Sequence, residues 1–87
     1  MRITVTKSDI AAGRYNVAGA PSNYRERYCP VGVAFGRRGI VAYVCIEHVQ
    51  IDGRGLPLPK KAIDWIAAFD RGDRTIEPFW FDVPLPA

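Results

Sequence analysis

Hydrophobic and polar positions change rhythm several times along this chain, and each change marks an element. From Arg2 to Thr6 the pattern alternates, with Ile3 and Val5 on one side and Arg2, Thr4 and Thr6 on the other, as in a half-buried strand. Ser8 to Gly13 reads as one helical turn, with Ser8 or Asp9 as the N-cap and Gly13 as the stop. Residues 14–28 show no period and contain Gly19, Pro21, Ser22 and two asparagines, which predicts a long loop. Pro30 to Arg38 predicts a short helix. Proline suits the first helical position, Arg37 and Arg38 complement the negative end of the dipole, and Gly39 provides a left-handed stop. Gly32 and Gly36, four apart on one face, are expected to let this helix lie close on a sheet.

The second half of the chain is more regular. Ile40 to Ile46 is a nearly continuous β-branched and aromatic run, which predicts a central strand buried on both faces. The phase then slips: Val44 and Ile46 share one parity, Val49 and Ile51 the other, so a bulge or break is expected near Glu47-His48. Asp52-Gly53 signals a hairpin, with Leu56 and Leu58 on the returning strand. Pro59 opens a helix in which Ala62, Trp65, Ile66 and Phe69 follow the spacing of one helical face. Ile63 widens the stripe, and Arg71-Gly72 ends the helix. Ile76 to Val83 predicts a strand with Phe79, Phe81 and Val83 inward and Trp80 and Asp82 outward, which Pro78 confines to an edge or starts effectively at Phe79. Residues 84–87 read as a short extended tail.

The predicted order is βαββαβ over one domain, residues 1–87. That is an α+β protein: a small sheet of about four strands with two helices on one face, in the ferredoxin-like order.

Composition narrows the classes. With 87 residues there is room for a single core, and 48% apolar with 24% charged residues is globular composition. No apolar run approaches the roughly 20 residues of a membrane span, and the alternating start does not read as a signal peptide. A large enzyme, a membrane protein and a disulfide scaffold are excluded; a cytoplasmic protein with Cys29 and Cys45 reduced is expected.

Candidate chemistry is sparse. Cys29 at a helix N-terminus would feel the positive end of the dipole, which lowers a thiol pKa, and His48 is the one available base. No third member or oxyanion hole accompanies them, so no catalytic residue is assigned. Cys29, Cys45 and His48 lack a C-x-x-C pair and a fourth ligand, so neither a metal nor a cofactor is expected. The carboxylates of Asp64, Asp70, Asp73 and Asp82 read as solvated helix and turn residues. The run from Arg38 to Val44 approaches the central-strand motif of RNA-recognition domains but is one residue too long, which turns Tyr43 to the opposite face.

The richest segment lies between Arg14 and Arg38. Tyr15, Tyr24, Arg25, Arg27, Tyr28, Arg37 and Arg38 are the residue types enriched at interface hot spots, and they are predicted to form a partner-binding patch around the first helix. Trp80 is a second candidate if its face of the sheet is open.

Several stretches together resemble a set of small uncharacterised accessory proteins encoded by bacteriophages and prophages. The matching features are Ile3-Thr4-Val5-Thr6 followed by Asp9-Ile10 and Gly13, and Cys29-Pro30-Val31 opening a short helix. Leu58-Pro59 before Ala62, Ile66, Phe69-Asp70 and Gly72, and Glu77-Pro78-Phe79 with Phe81, complete the pattern. The resemblance implies a non-catalytic accessory protein that binds and inhibits a host protein, such as a CRISPR or other defence effector. The net charge of +3 departs from the acidic, DNA-mimicking style of such inhibitors. The alternative expectation is a small single-stranded nucleic-acid-binding domain, and an exposed edge strand leaves a homodimer open.

Overall fold

The computed structural model describes residues 1–85, with the side chains of Val17, Ser22, Asn23 and Tyr24 outside that description. Its elements are β1 (Arg2–Val5), α1 (Lys7–Val17), α2 (Ser22–Tyr28), α3 (Pro30–Arg37), β2 (Tyr43–Val44), β3 (His48–Ile51), β4 (Arg54–Pro57), α4 (Lys60–Asp70) and β5 (Phe79–Asp82). The class is α+β. The strands divide into two antiparallel sheets, β1-β5 and β2-β3-β4. This corrects the expected single sheet of about four strands under two helices. A ferredoxin-like sheet needs the middle strands beside β1, whereas here β1 pairs with β5 and the β2–β4 meander hydrogen-bonds only within itself.

The alternation read in β1 is correct and sets the first sheet. Ile3 faces Phe81 and Val5 faces Phe79 on the inner side, while Arg2 with Asp82 and Thr4 with Trp80 form the outer side. Pro78 does move the strand start to Phe79. The expected tail is tied down over its described part: the Met1 amine donates to the carbonyls of Val83 and Leu85, and Val83 N–H donates to Met1.

The predicted loop over residues 14–28 is instead mostly helix. Thr6, not Ser8 or Asp9, is the N-cap of α1. Its hydroxyl accepts from Asp9 N–H while its own N–H donates to the Asp9 carboxylate, a reciprocal capping box. Gly13 does not stop the helix; it is buried where a methyl group would overlap the Pro30 ring. Helix α1 is only weakly amphipathic because it packs side-on against α2 and α3. A polar helix held by such neighbours leaves little trace in the hydrophobic period.

Cys29 joins α2 to α3. Its N–H closes α2 on Arg25, its carbonyl accepts from Val33, and its Sγ accepts from Gly32 N–H at 3.5 Å. Gly32 therefore serves a close approach, although not to a sheet. A side chain there would collide with the Arg27 carbonyl at the end of α2, whereas Gly36 is exposed.

The run Ile40–Ile46 is not a strand buried on both faces. Ala42 and Val44 are inside, and Val41, Tyr43 and Ile46 are outside. The phase slip is a tight turn, closed by Cys45 N–H donating to His48, which places Val44 opposite Val49. Partners across such a hairpin differ in parity, so the slip is the signature of the turn itself. At the next hairpin Asp52 and Gly53 both have positive φ, 53° and 75°, as a type I′ turn requires.

Residues from both sheets meet in one core around Phe35, Phe81, Val31 and Val49. Helix α4 contributes Ala62 and Ile66, as its stripe predicted, and joins β5 through stacked rings. Trp65 lies 4.7 Å from Phe79, which is 5.5 Å from Phe81, which meets Phe35 edge-on at 6.2 Å. The Trp65 indole N–H is satisfied by the Glu77 carbonyl at 2.8 Å.

Candidate functional site

An open groove of about 980 Å³ is bounded by α1, α2, the β2–β3 turn and the end of α4. Val44, Ile66 and Phe69 supply apolar surface, and Ile46, 76% exposed, stands at the turn. Arg14, Arg25 and Arg74 are interspersed with Glu26, Glu47 and Asp70. Arg14 is anchored: it donates to the Asp73 carbonyl at 2.9 Å and lies 5.6 Å from the Phe69 ring centre. Burial pushes the Asp70 carboxyl up from its usual range, opposed by the nearby Arg25 charge.

Cys29, Cys45 and His48 all line this groove. The helix-terminal position of Cys29 does not activate it. Burial pushes its thiol up to about 11, outweighing the N–H groups of Gly32 and Val31, and Asp70 adds to the rise. Cys45 is raised by burial and by the Glu26 charge. The expected depression of the Cys29 pKa is thus reversed, because the sulfur loses more hydration on burial than the backbone donors of Gly32, Val31 and Cys29 itself return. Among the described residues, no group of three or more His, Cys, Asp or Glu side chains is arranged to hold a metal ion.

The predicted partner-binding residues whose side chains are described do not form one patch. Arg25 enters the groove. Tyr15 is 83% exposed on α1, and Arg27 lies 4.9 Å from the Tyr28 ring centre on α2. The Tyr24 side chain lies outside the described residues.

Arg37 and Arg38 reach away towards β1. Arg37 grips the Asp9 carboxylate through Nη2 at 2.7 Å and Nε at 3.1 Å, and also donates to the Thr4 carbonyl at 2.7 Å. Arg38 donates to the Arg2 carbonyl at 2.8 Å. Met1 and Val83 exchange both backbone bonds, so by antiparallel alternation the carbonyls of Arg2 and Thr4 point away from β5. The two arginines therefore cap the free edge of β1.

Trp80 does lie on an open face, 43% exposed. The Arg2 guanidinium is 3.7 Å and the Lys61 ammonium 3.5 Å from its ring centre. Sequence reasoning missed Ile46, which it counted as a buried strand residue, and missed this double cation contact. The parity change at Glu47-His48 was the available signal for Ile46. No local signal brings Lys61 to Trp80.

Comparison with family models, with curated proteins and with solved structures returns no match. Among the described residues, no helix is long and apolar enough to cross a membrane.

Proposed function

We propose that this chain is a non-catalytic binding protein whose groove receives a partner polypeptide, with a host protein such as a defence effector as the partner class and inhibition by surface occupation as the outcome. The observation that carries this reading is Ile46. A large aliphatic side chain stands 76% exposed at the mouth of a groove floored by Val44, Ile66 and Phe69. Burying such a side chain against a partner contributes about 1.5–3 kcal/mol. Arg25 and the acidic residues beside it supply polar contacts around that apolar centre, the arrangement of a protein interface. Helices α1 and α2, which wall the groove, present Tyr15, Arg27 and Tyr28 outside it. The resemblance to phage accessory proteins supports a host partner, and the protonated thiol of Cys29 favours binding over thiol catalysis.

The test is capture from nuclease-treated bacterial extract by the immobilised chain, repeated with Ile46→Glu, Arg25→Glu and a control, Gln50→Glu, on an exposed position of β3. Wild type and control are expected to retain a protein that both groove variants lose. Retention unchanged by Ile46→Glu, or retained material that nuclease removes, overturns the reading.

A further inference from the structure

We propose a second site, beyond the groove: the outer face of the β1-β5 sheet around Trp80 binds single-stranded nucleic acid. Trp80 is an exposed indole on a two-stranded platform whose inner side is sealed by Ile3 and Phe81. Two cations converge on that platform and a third lies at its β1 edge. Arg2 and Lys61 approach the ring itself, and Arg38 is fixed to the Arg2 carbonyl. Asp82 pairs with Arg2 at 3.3 Å. Arg2 and Lys61 on the ring and Arg38 at the strand edge give this platform its cationic groups.

The chemistry matches one class of ligand. A flexible polyanion with exposed aromatic bases needs a π-face on which to stack and cations beside it for phosphate. Each guanidinium has five N–H donors, and Arg2 and Arg38 each commit one of them here, so donors remain for phosphate oxygens. Lys61 carries its ammonium on a flexible four-carbon stem on the exposed side of α4, able to exchange the indole for a phosphate when a base takes its place on the ring. A duplex hides its base faces and so cannot use Trp80. The alternative function expected from sequence placed such binding at Arg25, Arg27, Arg37, Arg38 and an exposed aromatic; Arg25 lines the groove instead, and Arg37 and Arg38 hold the free edge of β1.

The experiment titrates the chain with a dT oligonucleotide of about 12 nucleotides, with a duplex of the same length and with phosphatidylglycerol vesicles, following tryptophan emission. The oligonucleotide is expected to quench emission and to bind more tightly than the duplex. Trp80→Leu is expected to weaken binding at least about five-fold, while Trp80→Phe keeps most of it. Lys61→Gln, an exposed substitution that leaves the core intact, is expected to lower the slope of log affinity against log salt by about 0.7. Ile46→Glu should leave oligonucleotide binding unchanged, which separates this site from the groove. No binding at low salt, equal affinity for Trp80→Leu in a folded chain, tighter binding of duplex, or vesicle binding without oligonucleotide binding each overturns the proposal.

Discussion

Arg37 holds the carboxylate of Asp9 through two nitrogens, at 2.7 and 3.1 Å, and so ties the end of α3 to the start of α1. Asp9 is 2% exposed and also caps its own helix, so one carboxylate serves the capping box and the ion pair together. Burial alone would raise its pKa. The Arg37 hydrogen bonds, the Thr6 donors and the Arg37 charge outweigh it and hold the carboxyl below its ordinary 3.8.

A group whose pKa falls on folding stabilises the protein fully above its unfolded value and loses that contribution as pH drops through its folded value. Thermal stability is therefore expected to fall as pH decreases below about 4, and Asp9→Asn should flatten that decline. Arg37→Ala is expected to cost about 2 kcal/mol at neutral pH. That lies below the 3–5 of a fully buried pair, because the Arg37 side chain is 49% exposed. Chemical denaturation across a pH series measures both.

The two glycines of α3 should respond oppositely to alanine. At Gly32 the new methyl group meets the Arg27 carbonyl, which is backbone and cannot swing aside. A loss of about 1–3 kcal/mol is expected. At Gly36 the nearest atom is the flexible Arg27 Nη1 at 3.6 Å, so relief of backbone entropy should raise stability by up to about 1 kcal/mol. Urea midpoints of the two variants decide this.

Cys29 should behave as a cap and not as a nucleophile. Its reaction with iodoacetamide is expected to stay slow near neutral pH and to rise only towards pH 11. Cys29→Ser, which keeps an acceptor for Gly32 N–H, should preserve stability, whereas Cys29→Ala should cost about 1 kcal/mol. Alkylation rates followed by mass spectrometry, with melting curves for both variants, test the assignment.

Arg38 covers the Arg2 carbonyl on the unpaired edge of β1, and cationic covers of this kind keep strand edges from pairing with copies. Arg38→Ala is expected to promote concentration-dependent self-association in sedimentation velocity. Thr4→Pro introduced alongside it should reverse the effect, because proline removes an edge donor.

Much of the second half of the fold was legible in the residues. The Ala62, Ile66, Phe69 stripe, the Asp52-Gly53 turn and the inward Phe79 and Phe81 are local signals, each readable within one or two turns of chain. The first half was not. Helix α1 owes little to periodicity and much to its capping box and to packing on α2 and α3, and α2 has no side-chain cap, so residues 14–28 looked like a loop. The site suffered for the same reason. Tyr and Arg content between Arg14 and Arg38 drew attention to the right elements, but composition is blind to which arginines are already engaged.

Sequence alone determined the α+β class, the strongest helix, the Asp52-Gly53 hairpin and which face of each outer strand turns inward, because these depend on short-range spacing and on backbone preference. Tertiary structure decided that the strands form two sheets, that Cys29 is a protonated hinge and that Arg37 and Arg38 close a strand edge. It also brought Lys61 to Trp80 and left Ile46 bare beside a groove. Those outcomes depend on desolvation and on contacts between residues tens of positions apart, and no local pattern encodes either.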